Sequence, residues 1–253
     1  MNVNLNAYSS AFIPPHQPSD SVDQANSKAA SVLSRGKRGV ATQDGLWPQH
    51  STLKISMAGM TDEQKKFTRD NINKWAPHVN LKFDFTDKPG GDIRIEGGDG
   101  NWSGLGTESK RQDADKPTML INFKNGMNSG SAATILHEFG HALGLHHEHQ
   151  HPENTLDLNM SQIYPALASQ ADREGVDYNM KKITEGVVSA PYDQKSIMHY
   201  GFAANWLNDG KAIEGNSELS KGDISFIRSL YPPKIRKPVS SPWWDYRGLY
   251  KRS

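Results

Sequence analysis

Apolar residues recur at every second position at Leu53, Ile55 and Met57, and again at Val79, Leu81, Phe83 and Phe85. A period of two sends alternate side chains to one face, so both stretches predict strands. Between them the period changes. Thr61 is followed three residues on by Gln64, a pair that can cap a first helical turn reciprocally, and Phe67, Ile72 and Trp75 then suit a helix that stops before Pro77. Ile93 and Ile95, fenced by Pro89-Gly90-Gly91 and by Gly97-Gly98, predict a third strand, while Asn101 to Thr107 and Thr118 to Phe123 supply a fourth and a fifth. Further on, Ala132, Ile135, Leu136, Phe139, Ala142 and Leu143 fall at helical spacing and predict a helix with one buried face. From Pro152 to Pro191, Gly and Pro interrupt the pattern, which predicts a smaller, irregular lobe. Ser220 then caps a last helix with Ile224, Ile227 and Leu230 on one face, ending at Tyr231-Pro232-Pro233.

The two ends are of another kind. Met1 to Ser34 is rich in Ser, Asn, Gln and Pro, with only a weak helical pattern at Val22, Ala25 and Ala29, and buries too little surface to offset its ordering entropy. It lacks the basic and apolar regions of a Sec signal peptide, so the expectation is secretion by a non-Sec route, with a cytoplasmic location as the alternative. Pro233 to Ser253 sets Trp243, Trp244, Tyr246 and Tyr250 among Lys and Arg, a tail that either docks back on the domain or meets a partner or membrane surface. The expected division is a flexible leader at 1–45, one folded domain at 46–232 and a basic aromatic tail at 233–253.

Composition narrows the function. With 29 basic and 28 acidic residues in 253, the net charge of +1 gives no reason to expect nucleic acid as a partner. No apolar run approaches the ~20 residues needed to span a bilayer. The chain has no cysteine, so neither disulfides nor a thiolate metal site can form and packing alone must hold the domain.

Candidate chemistry lies in His137-Glu138-Phe139-Gly140-His141-Ala142-Leu143-Gly144-Leu145-His146-His147-Glu148. Four residues apart on a helix, His137 and His141 project from the same face and can reach one ion. Glu138 sits beside that face, placed to take a proton from a zinc-activated water as general base rather than to ligate. Gly144 allows the chain to leave the helix at positive φ and turn back, which brings His147 within reach as a third ligand. Three protein ligands leave a position for water and so predict a catalytic zinc, one Zn2+ per chain. His146, His149 and His151 lack the ligand spacing and read as surface or supporting residues. Gly97-Gly98-Asp99-Gly100 occurs once and reads as a turn rather than a calcium-binding repeat.

The motif His-Glu-x-x-His-x-x-Gly-x-x-His is the metzincin signature. With it, Ser196-Ile197-Met198-His199-Tyr200-Gly201 resembles the Met-turn of the astacin family of zinc endopeptidases. The resemblance runs roughly from Leu46 to Pro232 and includes Asp92-Ile93-Arg94-Ile95, Trp102-Ser103-Gly104-Leu105-Gly106, His147-Glu148-His149 and the segment from Leu219-Ser220 to Leu230-Tyr231. It looks more like the bacterial-type branch than the disulfide-bridged animal one. The resemblance implies an α+β, metzincin-like, two-lobed catalytic domain: a five-stranded twisted sheet with a backing helix and an active-site helix, and a smaller irregular C-terminal lobe with a final helix. It implies that Trp102 to Gly106 forms an edge strand along which substrate lies, with Glu148 as a structural contact at the base of the site and Met198 as an apolar floor. Tyr200 would ligate zinc at rest and swing away to stabilise the oxyanion. No Phe-x-Gly-Asp zinc-blocking element of the family's propeptides is present. The expected function is a zinc-dependent endopeptidase acting on protein or peptide substrates as a monomer, secreted as an effector or virulence protease. The alternatives are a serralysin-like metzincin, or a peptide-binding module without catalysis.

Overall fold

The computed structural model describes residues 39–168 and 172–233. The proposed leader up to residue 38 and the aromatic tail from residue 234, including Trp243, Trp244, Tyr246 and Tyr250, lie outside the described residues. The described body begins earlier than the expected boundary at Leu46. Strand β1 (Gly39–Thr42) has Val40 and Ala41 fully buried and pairs antiparallel with β7 (Val187–Ala190). Its short Gly-Val-Ala-Thr run is enclosed on both faces and shows none of the alternation that marks a half-buried strand.

The main sheet has five strands in the order β3-β2-β4-β6-β5: β2 (Thr52–Ala58), β3 (Lys82–Thr86), β4 (Ile93–Gly97), β5 (Trp102–Ser103) and β6 (Met119–Ile121). The first four pair in parallel and β5 closes one edge antiparallel to β6. Parallel neighbours need a crossover, and α1 (Asp62–Ile72) provides it between β2 and β3. Its Thr61–Gln64 capping box forms as the sequence predicts. The central strands bury Leu53, Ile55, Ile93, Ile95, Met119 and Ile121, whereas edge-strand residues Phe83 and Phe85 stay half-buried. Helix α2 (Ser129–Ala142) joins this core through Ile135, Leu136, Phe139 and Ala142, with Ala133 rather than Ala132 fully buried. The indole of Trp75 donates to Leu136 O at 3.1 Å and ties α2 to the end of α1.

Two expectations change. The fourth strand is only two residues long, because after Gly104 the chain turns inward into a 3₁₀ segment, Gly106–Arg111. Gly106 has φ +45°, and a Cβ there would lie 1.7 Å from Gly45 O, so only glycine permits this approach. The lobe after His147 is not irregular throughout. It contains α3 (Met160–Leu167) and α4 (Arg173–Met180), whose Ile163, Leu167, Val176 and Met180 form a second apolar cluster with Phe202 and Leu207. In α3 the residues Met160, Ile163, Tyr164 and Leu167 fall at helical spacing, but Pro165 within the run reads as a break, and α4 offers only Val176 and Met180 four apart. Helix α5 (Lys221–Leu230) follows that lobe in sequence but packs Phe226, Ile227 and Leu230 into the main core.

Candidate metal centre

Helix α2 starts on a reciprocal cap between Asn128 and Ser131 and carries His137, Glu138 and His141 on its last turns. It ends as the sequence predicts. Gly144 takes φ +94°, its amide donates to His141 O at 2.8 Å, and the Leu145 amide reaches Gly140 O at 3.0 Å. These two bonds satisfy carbonyls that a helix end would leave open, and they reverse the chain so that His147 faces the helix. The ligand atoms of His137, His141 and His147 all lie within 4.8 Å of one another.

Hydrogen bonding fixes the tautomers. His137 Nδ1 faces Ile197 O at 2.8 Å and His141 Nδ1 faces Leu145 O at 2.7 Å. A carbonyl oxygen only accepts, so both Nδ1 atoms carry the proton. His147 Nδ1 faces Gln150 Oε1 at 3.3 Å. The amide of Gln150 is oriented by its own nitrogen, which donates to Tyr178 O at 2.7 Å and Lys181 O at 3.2 Å. All three Nε2 atoms therefore present lone pairs. Those of His141 and His147 face each other at 3.0 Å, and His137 Nε2 is buried with no hydrogen-bond partner among the described residues. Facing lone pairs without a proton between them repel, and a shared cation removes the conflict. Burial pushes the His137 ring down to about 4. Burial and then the neighbouring imidazoles hold His141 and His147 well below the usual value, so all three are neutral ligands at pH 7. Three neutral imidazoles with their outer nitrogens engaged fit zinc.

Glu138 Oε2 is buried without a hydrogen-bond partner among the described residues, and burial pushes this carboxyl up to about 8. A dication nearby draws it back down, leaving a group able to take and return a proton near neutrality.

Met198 is buried against α2 at Gly140. A Cβ on Gly140 would come within 2.3 Å of its Sδ, so the helix glycine is what admits the thioether. The turn around Met198 hangs on Asp223 at the start of α5. That carboxylate accepts from Ser196 Oγ at 2.6 Å, Ile197 N at 2.8 Å and Ser220 N at 2.8 Å. Ser220 Oγ passes the chain of bonds to Asp193, whose amide donates to Glu148 Oε1 at 2.7 Å. Glu148 is fully buried, and its amide donates to Met198 O at 2.9 Å.

Tyr200 stacks on His149, with ring centroids 4.4 Å apart and planes 23° apart, and lies 4.3 Å from the His147 ring. Burial first, and Glu138 second, push its phenol well above the ordinary value. His149 and His151 are buried rather than at the surface. His149 Nε2 donates to Asn179 O at 2.8 Å, and His151 Nε2 bonds Ala190 O. His199 Nδ1 donates to Tyr200 O at 2.6 Å and its Nε2 accepts from Tyr192 OH at 2.6 Å.

A cavity of about 620 Å³ is lined by His141 and His147 together with Leu105, Tyr178, Lys182 and Glu185. The expected rail is thus only partly in the cleft. Leu105 lines it, the β5 edge away from β6 pairs with no other strand among the described residues, and Trp102 is half-buried. Ser103 and Gly106 are buried, and Gly104 donates its amide to Thr118 O at 2.8 Å. Gln150, Asp193 and Asp223 are not marked by the sequence pattern, although the Ser220–Asp223 spacing carries the capping signal that places Asp223.

A family model described as Astacin, a family of peptidases, matches residues 39–231. The chain is 26% identical over 217 residues to Tolloid-like protein 1 of Mus musculus, across 74% of this chain and 19% of that protein. It is 31% identical over 122 residues to zinc metalloproteinase nas-39 of Caenorhabditis elegans, across 42% of this chain and 12% of that one. The chain thus spans less than a fifth of the length of either relative. Among solved structures, one of myroilysin superposes with a TM-score of 0.73 at 28% identity, covering 78% of this chain and all of that one.

Proposed function

The chain belongs to the astacin family, and from that premise we propose that it is a zinc-dependent endopeptidase that cuts peptide bonds within protein substrates. The observation that carries the proposal is the convergence of three Nε2 lone pairs whose Nδ1 partners are engaged elsewhere. Zinc held by His137, His141 and His147 supplies a Lewis acid that lowers the pKa of water and polarises a carbonyl.

The protein's own groups do the rest. Glu138 takes the proton of the attacking water and later hands it to the leaving amine, and its buried position keeps that proton from bulk solvent. The Tyr200 hydroxyl donates to the oxyanion that develops on the scissile carbonyl. The edge of Trp102–Ser103, which pairs with no strand beyond β6 among the described residues, and the adjoining Leu105 hold an extended peptide across the site by strand addition. Glu148 and Met198 keep the ligands in place without entering the reaction.

The enzyme works as a monomer and is secreted by a non-Sec route, acting as an effector on proteins of another cell. A chain without cysteine supports this, because it can pass a narrow channel unfolded and refold without disulfide chemistry. Among the described residues no helix is long and apolar enough to cross a membrane.

Cleavage of unfolded casein tests the activity. It should stop on chelation and return when zinc is restored, and zinc-loaded protein that leaves casein and a mixed peptide library intact would overturn the proposal. Export is tested by comparing culture-medium levels of the full chain and of a chain lacking residues 1–34 in the native producer. Equal levels would remove a targeting role from that segment.

A further inference from the structure

We infer that strand β1 is a positioning element for the metal site: it holds the loop bearing His147, and the carbonyl that orients His141, against the second lobe. The inference rests on the zinc reading and assigns it a support that lies a hundred residues away in sequence.

The strand is engaged on both edges. On one side Gly39–Thr42 pairs with Val187–Ala190 of β7. On the other, Ala41 bridges Leu145, and the His146 amide donates to Val40 O at 2.9 Å. Leu145 supplies the carbonyl that holds His141 Nδ1, and His146 directly precedes His147. Two of the three ligands are therefore attached to β1 through a neighbouring backbone group. His137 is not, since its Nδ1 is held by Ile197 O.

The chain just after β1 adds to the clasp. Gly45 O lies against both Gly106 and Gly144, and the Trp47 indole donates to Ala142 O at 2.7 Å. The seat of β1 leaves no slack. Gly39 has φ +146°, and a Cβ there would fall 2.1 Å from Cδ1 of Phe226. Without β1, the His146 amide would lose its backbone acceptor and Leu145 its bridge to Ala41, the two attachments that hold the chain where it returns from α2.

The test uses Ala41→Pro, because a strand bonded on both edges has no place for a residue lacking its N–H. Phe85→Ala, at the far edge of the main sheet, is the comparison variant. Zinc affinity is read by competition with a chromogenic chelator, and exchange of the His146 amide is followed in zinc-free protein. Ala41→Pro should weaken zinc binding at least ~10-fold, as loss of an orienting partner does. It should also speed exchange at His146. Phe85→Ala should melt earlier yet keep its zinc affinity within about twofold, because it is remote from the ligands. Equal zinc affinity in wild type and Ala41→Pro, or a loss no larger than that of Phe85→Ala, would overturn the inference.

Should Ala41→Pro not fold, Gly39→Ala, which presses one methyl onto Phe226, gives the same readouts in milder form. A wild-type His146 amide that exchanges like an exposed loop would also defeat the inference, even if the protein bound no zinc. Failure of wild type to bind zinc would instead sink the zinc reading.

Discussion

The two halves of the metal site are held by different means. On the helix side, His137 and His141 rest on main-chain carbonyls at 2.8 and 2.7 Å. On the loop side, His147 rests on the side chain of Gln150 at 3.3 Å, and that amide hangs on the carbonyls of Tyr178 and Lys181 in the second lobe. A main-chain acceptor survives any substitution at its own position, whereas a side-chain acceptor does not. The helix half is set by the fold, and the loop half can be tuned by single residues.

The largest expected effect is on the helix side and concerns turnover. Glu138→Gln keeps every ligand but removes the proton acceptor, so zinc content should hold while kcat falls by roughly 10²- to 10⁴-fold. Near-normal turnover would show that Glu138 is not the base. On the loop side, Tyr200→Phe should lower kcat by about 10- to 10³-fold with little change in KM, the pattern of a bond made only in the transition state. An unchanged kcat would remove Tyr200 from the chemistry.

Gln150→Leu addresses the comparison itself. It should weaken zinc binding by about 10- to 100-fold, the usual cost of losing a partner that orients a ligand. Substituting the side chains of Ile197 or Leu145 with residues of like size should leave metal affinity unchanged, because the acceptors there are backbone. Equal losses at all three positions would erase the distinction.

The smallest effect is on stability against pH. Burial pushes His137, His146 and His199 down to about 4 and His149 to about 3. The unfolded chain binds protons near 6.5 while the folded one resists them. The stability these groups contribute is therefore complete above pH 6.5 and is lost as pH falls toward 4 and below. Glu138 acts in the opposite sense between its ordinary value and about 8, so the measurement belongs in zinc-free Glu138→Gln protein. Its melting temperature should fall steadily from pH 7 to 4.5, and a flat profile would contradict the burial of these rings. Three of the four flank the loop half, so amide exchange should rise there first.

What the sequence reveals follows the same division. The His-Glu-x-x-His spacing, the Gly144 exit and the Thr61 and Ser220 caps are all local, decided within a few residues. Asp223 reaches Ile197 across 26 positions and Gln150 meets Tyr178 across 28, distances over which a single sequence carries no periodic signal. β1 is illegible for a related reason, since a four-residue strand enclosed on both faces has no alternation to read. The rail is shorter than expected because Gly104 and Gly106 read as pauses in a strand, when Gly106 in fact turns the chain toward Gly45.

The two apolar clusters described above are separate, one built around the main sheet and the other around α3 and α4. His137 and His141 sit on α2, which packs into the first, and Gln150 ties His147 to the end of α4, whose Val176 and Met180 lie in the second. A metal ion binding all three imidazoles then acts as a rivet between two melting units. Because zinc binds only the joined state, it raises their coupling by RT ln(1 + [Zn]/Kd). A calorimeter should record this as a single sharp heat-absorption peak for loaded protein, broadening or splitting into two once the metal is stripped.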